Sequence, residues 1–248
     1  MQNVTGFIVL ADISGYTKFV RSHNMKKIPF IGKRAMETTE SHAEHIISDL
    51  LEKVIEELEG TLTVNKLQGD AVLFYSNPKN LNEYPKLLIE KIQGCFEVFI
   101  KRLNDIIFCE SCPCDACHQM GNLRLKSFVH YGDFLIKKVS RFEEIAGENV
   151  ILAHRLMKNT IDSDEYILFT DSVKQICDLD YLGKIDNRVE KCEGLGDIPI
   201  SVFYPDKKII DNPIVKKMGM FAKVKAMNNY FKKAKTKNDI IEKYAFQD

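Results

Sequence analysis

The sequence predicts an α+β fold, a mostly antiparallel sheet with helices packed on it. Short apolar runs alternate with longer amphipathic segments, and Gly-Asp turns join pairs of neighbouring runs, which favours antiparallel strands. The chain has 248 residues, 45% of them apolar and 28% charged, enough for one large domain with its own core. We expect this domain over residues 1–205, with a cysteine-rich insertion at 109–118, and an extension over 206–248.

The first half of the chain predicts the order β-α-α-β-β-α. An apolar run at 7–11 stops at the turn Asp12-Ile13-Ser14-Gly15, which is typical of a buried strand, and a helix begins near Tyr16. Apolar residues at helical spacing predict a long helix that ends at Gly60. Two apolar runs around Gln68-Gly69-Asp70 predict a hairpin. The predicted segments are a helix at 36–58, strands at 61–67 and 71–75, and a helix at 87–107.

The second half predicts the order β-β-α-β followed by two short strands. Gly132-Asp133 lies between two strand-like runs and predicts a second hairpin. Pro205 marks the expected end of the compact domain. The predicted segments are strands at 123–131 and 134–139, a helix at 150–159, and strands at 166–170, 181–185 and 200–204.

Two acidic residues are expected to meet at neighbouring strand ends. If the first hairpin lies in the middle of the sheet beside the first strand, Asp12 comes close to Asp70. Paired carboxylates suit Mg²⁺ or Mn²⁺, and Ser14-Gly15 before a helix would offer backbone N–H groups to phosphates. On spacing alone the alternative is equally open, that Asp12 caps the helix and Asp70 only forms the turn.

Three segments, in the same order, resemble the motifs of the class III nucleotidyl cyclases, the adenylate/guanylate cyclase family. The three segments are Leu10-Ala11-Asp12-Ile13-Ser14-Gly15-Tyr16-Thr17-Lys18-Phe19, Lys66-Leu67-Gln68-Gly69-Asp70-Ala71-Val72-Leu73-Phe74 and Gly147-Glu148-Asn149-Val150-Ile151-Leu152-Ala153-His154-Arg155-Leu156. The resemblance spans residues 7–170. It implies a ferredoxin-like cyclase homology domain that binds a nucleoside triphosphate and works as a head-to-tail homodimer with two composite sites.

The resemblance also assigns roles to individual residues. It implies that Asp12, Asp70 and the carbonyl of Ile13 hold the two divalent cations, Mg²⁺ or Mn²⁺, and that Arg155 stabilises the transition state. Lys66 and Glu144 match the two positions that read the base. The ammonium of Lys66 can only donate hydrogen bonds, which favours a base with an acceptor such as adenine N1. ATP is therefore the expected substrate. The alternative without a functional role is that Arg155 is a solvated residue on a helix face and Lys66 a lysine at a strand edge.

The chain departs from the family pattern at several positions. Ile151 stands where the family has its transition-state asparagine, and loss of one such donor typically costs about 10²–10³ in rate. Glu144 replaces the usual aspartate, and Ile136-Lys137-Lys138 replaces a small-residue pattern. Three hypotheses follow: a slow cyclase that makes a 3′,5′-cyclic nucleotide and pyrophosphate, a degenerate nucleotide-binding or dimerising signalling module, and a zinc-stapled interaction protein.

Four cysteines lie within nine residues of the predicted insertion. Their clustering favours a structural Zn²⁺ site, with His118 as a spare ligand and free thiols or a labile disulfide as the alternatives. The four are Cys109, Cys112, Cys114 and Cys117. Cys95, Cys177 and Cys192 are expected in the core. The cluster also resembles a bacterial branch of cyclase-like proteins grouped as a domain of unknown function.

The charge distribution and hydropathy of the chain indicate which kinds of partner it can bind. Residues 206–248 carry eleven Lys and five Asp/Glu, a net charge of +6, so residues 1–205 carry −6, which argues against a general nucleic-acid binder. No apolar run approaches the ~20 residues of a membrane span, and a cytoplasmic protein is expected. Residues 213–237 predict a basic amphipathic helix that lies on an anionic membrane surface or packs on protein, and we favour protein.

Overall fold

The computed structural model describes residues 1–21, 33–106 and 119–206, together with residues 219, 221, 222, 224–226, 228–230 and 232; the side chains of residues 21 and 33–42 are not included. The expected zinc ligands Cys109, Cys112, Cys114 and Cys117 lie outside the described residues. So does the expected start of the C-terminal helix at residue 213.

The described part of the chain contains eight strands and five α-helices with described bounds, two 3₁₀ turns, and further helical residues between 221 and 232. The strands are β1 (Gln2–Ser14), β2 (Thr63–Gln68), β3 (Ala71–Ser76), β4 (Arg124–Val139), β5 (Phe142–Ala146), β6 (Tyr166–Thr170), β7 (Ile185–Cys192) and β8 (Gly196–Phe203). The helices are α1 (Tyr16–Arg21), α2 (Lys33–Leu58), α3 (Tyr84–Ile106), α4 (Glu148–Leu156) and α5 (Asp171–Lys174). None of the described helices is long and apolar enough to cross a membrane.

The strands form one sheet in the order β2-β3-β1-β4-β6-β8-β7, with β5 paired to β4. All pairs are antiparallel except β4 and β6, which run parallel. The predicted α+β class is therefore confirmed. One detail of the prediction is wrong, because the β2–β3 hairpin places β2 at the edge of the sheet and only β3 beside β1.

The chain divides into two compact units. The first comprises residues 1–14, 51–99 and 124–208 and contains all eight strands. Its hydrophobic core joins the inward faces of β1, β3, β4 and β6 to one side of α4, through residues such as Ile8, Leu73, Phe128, Ala153 and Leu168. The second unit comprises residues 15–50, 100–123 and 209–248. The proposed domain boundary at residue 205 stays a prediction.

The second unit contains a polar cluster that involves the C-terminal region. The Nε of Arg102 donates to both carboxylate oxygens of Asp49 at 3.1 Å, and its Nη2 donates to Oδ2 at 2.7 Å. The Tyr230 hydroxyl also donates to Asp49, and its ring lies 4.9 Å from that of His45. The described residues between 221 and 232 are helical. Tyr230 therefore contacts residues of α2, and the preference for protein over a membrane surface stays a prediction.

Two segments that the sequence predicts as turns belong to continuous strands in the structure. β1 extends through Ser14, because its last residues pair with β4 up to Arg124. β4 likewise runs through Gly132-Asp133, and its hairpin to β5 lies at Ser140-Arg141 instead. Gly132 is needed for close packing rather than for a turn, since a Cβ there would lie 2.6 Å from the Asn149 amide nitrogen.

Two further expectations need correction. A strand over 181–185 is wrong, because residues Asp180–Leu182 form a 3₁₀ turn and β7 starts at Ile185. Cys95 and Cys192 are buried as expected, whereas Cys177 is only half-buried.

His130 is buried in the middle of β4 and is 5% exposed. Its Nδ1 lies 2.9 Å from the Thr170 hydroxyl and 3.3 Å from that of Ser172. Burial lowers the pKa of His130 from 6.5 to about 4, and the nearby amide of Asn149 opposes this shift. The ring is therefore neutral in the folded protein at pH 7 and joins β4 to the end of β6.

We predict that His130 makes the fold sensitive to acid. Below pH 6.5 the unfolded chain binds a proton that the folded protein does not take up until about pH 4, so this residue's contribution to stability falls across that window. The loss reaches about 3 kcal/mol at ~1.4 kcal/mol per pKa unit. Denaturant unfolding from pH 7 to pH 4 should show a flatter decline for His130→Gln than for the wild type. Equal slopes would contradict the prediction.

Candidate functional site

Asp12 lies near the end of β1, where three strands meet. Its register partners are Ala71 on β3 and Lys126 on β4. The next residue, Ile13, donates its backbone N–H to the carbonyl oxygen of Asp70 at 3.0 Å. This bond ties the β2–β3 turn to β1, so the structure brings Asp12 and Asp70 together as the strand order required.

The environment of Asp12 disfavours an isolated negative charge. Burial, and after it the nearby carboxylate of Asp70, raise the pKa of Asp12 to about 6, and the ammonium of Lys126 opposes both effects. Two acids close enough to repel each other are a common feature of cation and catalytic sites, because a bound cation removes the repulsion.

Lys126 is a site residue that the sequence reading missed. It is half-buried in β4 between the buried residues Leu125 and Ser127, and its Nζ lies 5.5 Å from the ring centre of Tyr166 on β6. A lysine within a predicted strand was the available signal. Its meaning depended on the β1–β4 register, which places it opposite Asp12.

The donor set fits Mg²⁺ or Mn²⁺. Asp12 and Asp70 supply two carboxylates, and no cluster of three or more His, Cys, Asp or Glu suited to a metal occurs among the described residues. Mg²⁺ is commonly held by one or two carboxylates, with water and substrate phosphate completing its shell. The arrangement therefore suits a cation that arrives with a phosphate ligand better than a closed structural metal.

Ser14 and Gly15 follow Asp12 in sequence. Ser14 is the last residue of β1, and its buried hydroxyl has no hydrogen-bond partner within the described part of the chain. Gly15 is exposed, has a φ of +89°, and accepts from the N–H of Phe19 at 2.9 Å. A residue with a side chain would be strained at this φ. Their expected role in phosphate binding stays a prediction.

The two expected base-reading residues lie on strands that touch. Lys66 is on β2 and Glu144 on β5, and both are half-buried. The neighbouring Asn65 donates its amide to the backbone oxygen of Glu143 at 3.3 Å, and the Tyr75 hydroxyl donates to the Glu143 carboxylate at 2.8 Å. These bonds hold β5 against the β2–β3 hairpin. The role of Lys66 and Glu144 in reading a base stays a prediction.

Helix α4 carries Arg155 on its exposed side. The Arg155 Nη1 donates to Oε2 of Glu193, in the turn between β7 and β8, at 2.9 Å. Both side chains are largely exposed, so this ion pair is worth at most about 1 kcal/mol and is easily exchanged. Ile151, one turn earlier, has 54% of its surface exposed. An exposed isoleucine contributes little to the core and leaves this face of α4 without a donor at that position.

This sheet and its helices match the catalytic domains of class III nucleotidyl cyclases. The guanylate cyclase domain of RhGC from Catenaria anguillulae, in complex with GTP, is 12% identical with a TM-score of 0.54; the match covers 83% of this chain and all of that one. The adenylyl cyclase CyaB from P. aeruginosa is 12% identical with a TM-score of 0.54, covering 85% of this chain and 98% of that one. The cyclase homology fold expected from the motifs is confirmed.

The chain belongs to the family described as protein of unknown function (DUF2652), whose model matches residues 47–166. A relative from Mycobacterium tuberculosis, "Uncharacterized protein Rv2561/Rv2562", is 32% identical over 167 residues, which are 67% of this chain and 76% of the relative. The expected branch of cyclase-like proteins is thereby confirmed.

Proposed function

We propose that the protein is a slow class III nucleotidyl cyclase that converts a nucleoside triphosphate, with ATP favoured, into a 3′,5′-cyclic nucleotide and pyrophosphate. The observation that carries the proposal is the pair formed by Asp12 and Asp70 beside Lys126, in a chain that shares the fold of cyclase domains. Fold alone does not define activity, so the argument depends on these side chains.

The acidic pair and Lys126 would bind the triphosphate end of the substrate. Asp12, Asp70 and the carbonyl of Ile13 would hold two Mg²⁺ or Mn²⁺ ions. When bound, such ions polarise the α-phosphorus and lower the pKa of the ribose 3′-hydroxyl. Lys126 would add a positive charge toward the phosphates, and it already lowers the pKa of Asp12.

Other residues would bind the base and stabilise the transition state. Lys66 would donate to an acceptor on the base edge, and Glu144 would accept from an exocyclic amine. Arg155 would leave its exposed pair with Glu193 and stabilise charge at the α-phosphate. In a head-to-tail homodimer, α4 of one protomer would complete the site formed by Asp12 and Asp70 of its partner.

A second candidate function is favoured by Ile151. Because its side chain is exposed and cannot donate a hydrogen bond, the domain would bind nucleotide or dimerise in signalling without turnover. The test is incubation of the pure protein with each nucleoside triphosphate and Mn²⁺, followed by identification of the product. A cyclic nucleotide formed by the wild type and not by Asp12→Ala/Asp70→Ala supports the cyclase. No product from any triphosphate rejects it.

We predict that the acidic pair binds a divalent cation together with nucleotide. Nucleotide-dependent Mn²⁺ binding, measured by electron paramagnetic resonance of the free ion, should disappear in Asp12→Ala/Asp70→Ala, because both carboxylate ligands are lost. The control is Asp162→Ala/Asp164→Ala, which removes two exposed carboxylates. Binding that survives unchanged in the first variant would reject the site.

We also predict that kcat is low because Ile151 supplies no hydrogen-bond donor. Ile151→Asn should raise kcat at least about tenfold with little change in KM, because a donor used only in the transition state does not affect ground-state binding. Val189→Asn is a matched control, since Val189 is a 62% exposed apolar residue on β7. A wild-type kcat already near ~10 s⁻¹, the value of ordinary enzymes, would contradict this interpretation.

A further inference from the structure

The exposed side of α4 presents three neighbouring residues, Ile151, His154 and Arg155. The opposite side of the helix packs into the core through Val150, Leu152, Ala153 and Leu156. Residues three and four apart lie on the same face of a helix, so Ile151 is adjacent to both His154 and Arg155. A helical side chain also leans toward the helix N-terminus, which directs the half-buried imidazole of His154 over the turn that contains Ile151.

The three side chains differ in what they can donate. Ile151 has no polar atom, and Arg155 is paired with Glu193 at 2.9 Å. A neutral imidazole has one N–H donor and one acceptor nitrogen. His154 is therefore the residue of this trio that can act as a neutral donor close to position 151.

The imidazole of His154 is also electrostatically coupled to Lys66, the expected base-reading residue on β2. Burial lowers its pKa, and the ammonium of Lys66 on β2 lowers it further, so the ring is neutral at pH 7 and lies within electrostatic range of Lys66. The bond from Asn65 to the backbone of Glu143 holds β5 beside β2 at this point. Helix α4 follows β5 and packs against it, so the helix that carries His154 and the strand that carries Lys66 both contact β5.

We propose that His154 contacts the bound nucleotide and donates a hydrogen bond to an oxygen of its ribose or α-phosphate, a role that Ile151 cannot perform. This inference rests on the proposed cyclase function and extends it. A donor one turn further along α4, on the same face, would compensate in part for the missing side-chain amide. Turnover in this chain would then depend on a residue that no motif match assigned.

The test compares His154→Ala, His154→Gln and Ile151→Asn/His154→Ala by steady-state kinetics with Mn²⁺ and the preferred triphosphate. His154→Ala should lower kcat by about 10²-fold and change KM by less than about threefold, as expected for the loss of one transition-state donor. His154→Gln, which keeps an N–H donor, should recover most of the lost rate. The double variant should also recover, because the asparagine introduced by Ile151→Asn would supply the donor directly.

The remaining outcomes overturn the inference in distinguishable ways. Wild-type-like kcat in His154→Ala rejects the role of His154 and leaves the proposed function intact. Equal losses in His154→Ala and the double variant mean that the residue is only structural, and thermal unfolding would report this as a lowered Tm. Wild-type protein that forms no cyclic nucleotide rejects the proposed function, and the inference falls with it. Lys158→Ala, an exposed residue after α4, controls for surface changes.

Discussion

The pairing of β1 with β3 and β4 is the constraint on which the rest of the structure depends. β1 pairs with β4 along its whole length and with β3 from Phe7 to Asp12. Its middle residues are fully buried, so the strand cannot slip without exposing them. Gly6 helps to hold this register, since a Cβ there would lie 1.9 Å from the carbonyl oxygen of Ser76.

The same register creates the candidate site. With β1 in place, Asp12 lies opposite Lys126 and next to the turn that carries Asp70. Burial of a carboxylate beside another acid costs stability, as the raised pKa of Asp12 records. Sites that bind cations often accept such a cost, because the ligand supplies the missing charge.

Helix α4 has one side that packs into the core and another that is open to solvent. Its buried side packs into the core, and its exposed side carries Ile151, His154 and Arg155. Structures at 12% identity share the sheet and the helix positions with this chain, which shows the fold and leaves the reaction to the side chains. The exposed pair of Arg155 with Glu193 fits the same division, because a weak ion pair keeps the arginine exchangeable.

The sequence by itself determined the class of fold, the strand β6 and the long helices, because hydrophobic periodicity is a local property. The closeness of Asp12 to Asp70 followed from an assumed strand order, which the pairing of β3 with β1 satisfies. It misplaced the second hairpin: Gly132-Asp133 has the composition of a turn, yet Gly132 serves the close approach of Asn149 within a continuous strand. Only the tertiary structure decided that Lys126 faces Asp12 and that His154 lies near Lys66. Both depend on register and helix placement between segments far apart in the chain, which no local pattern encodes.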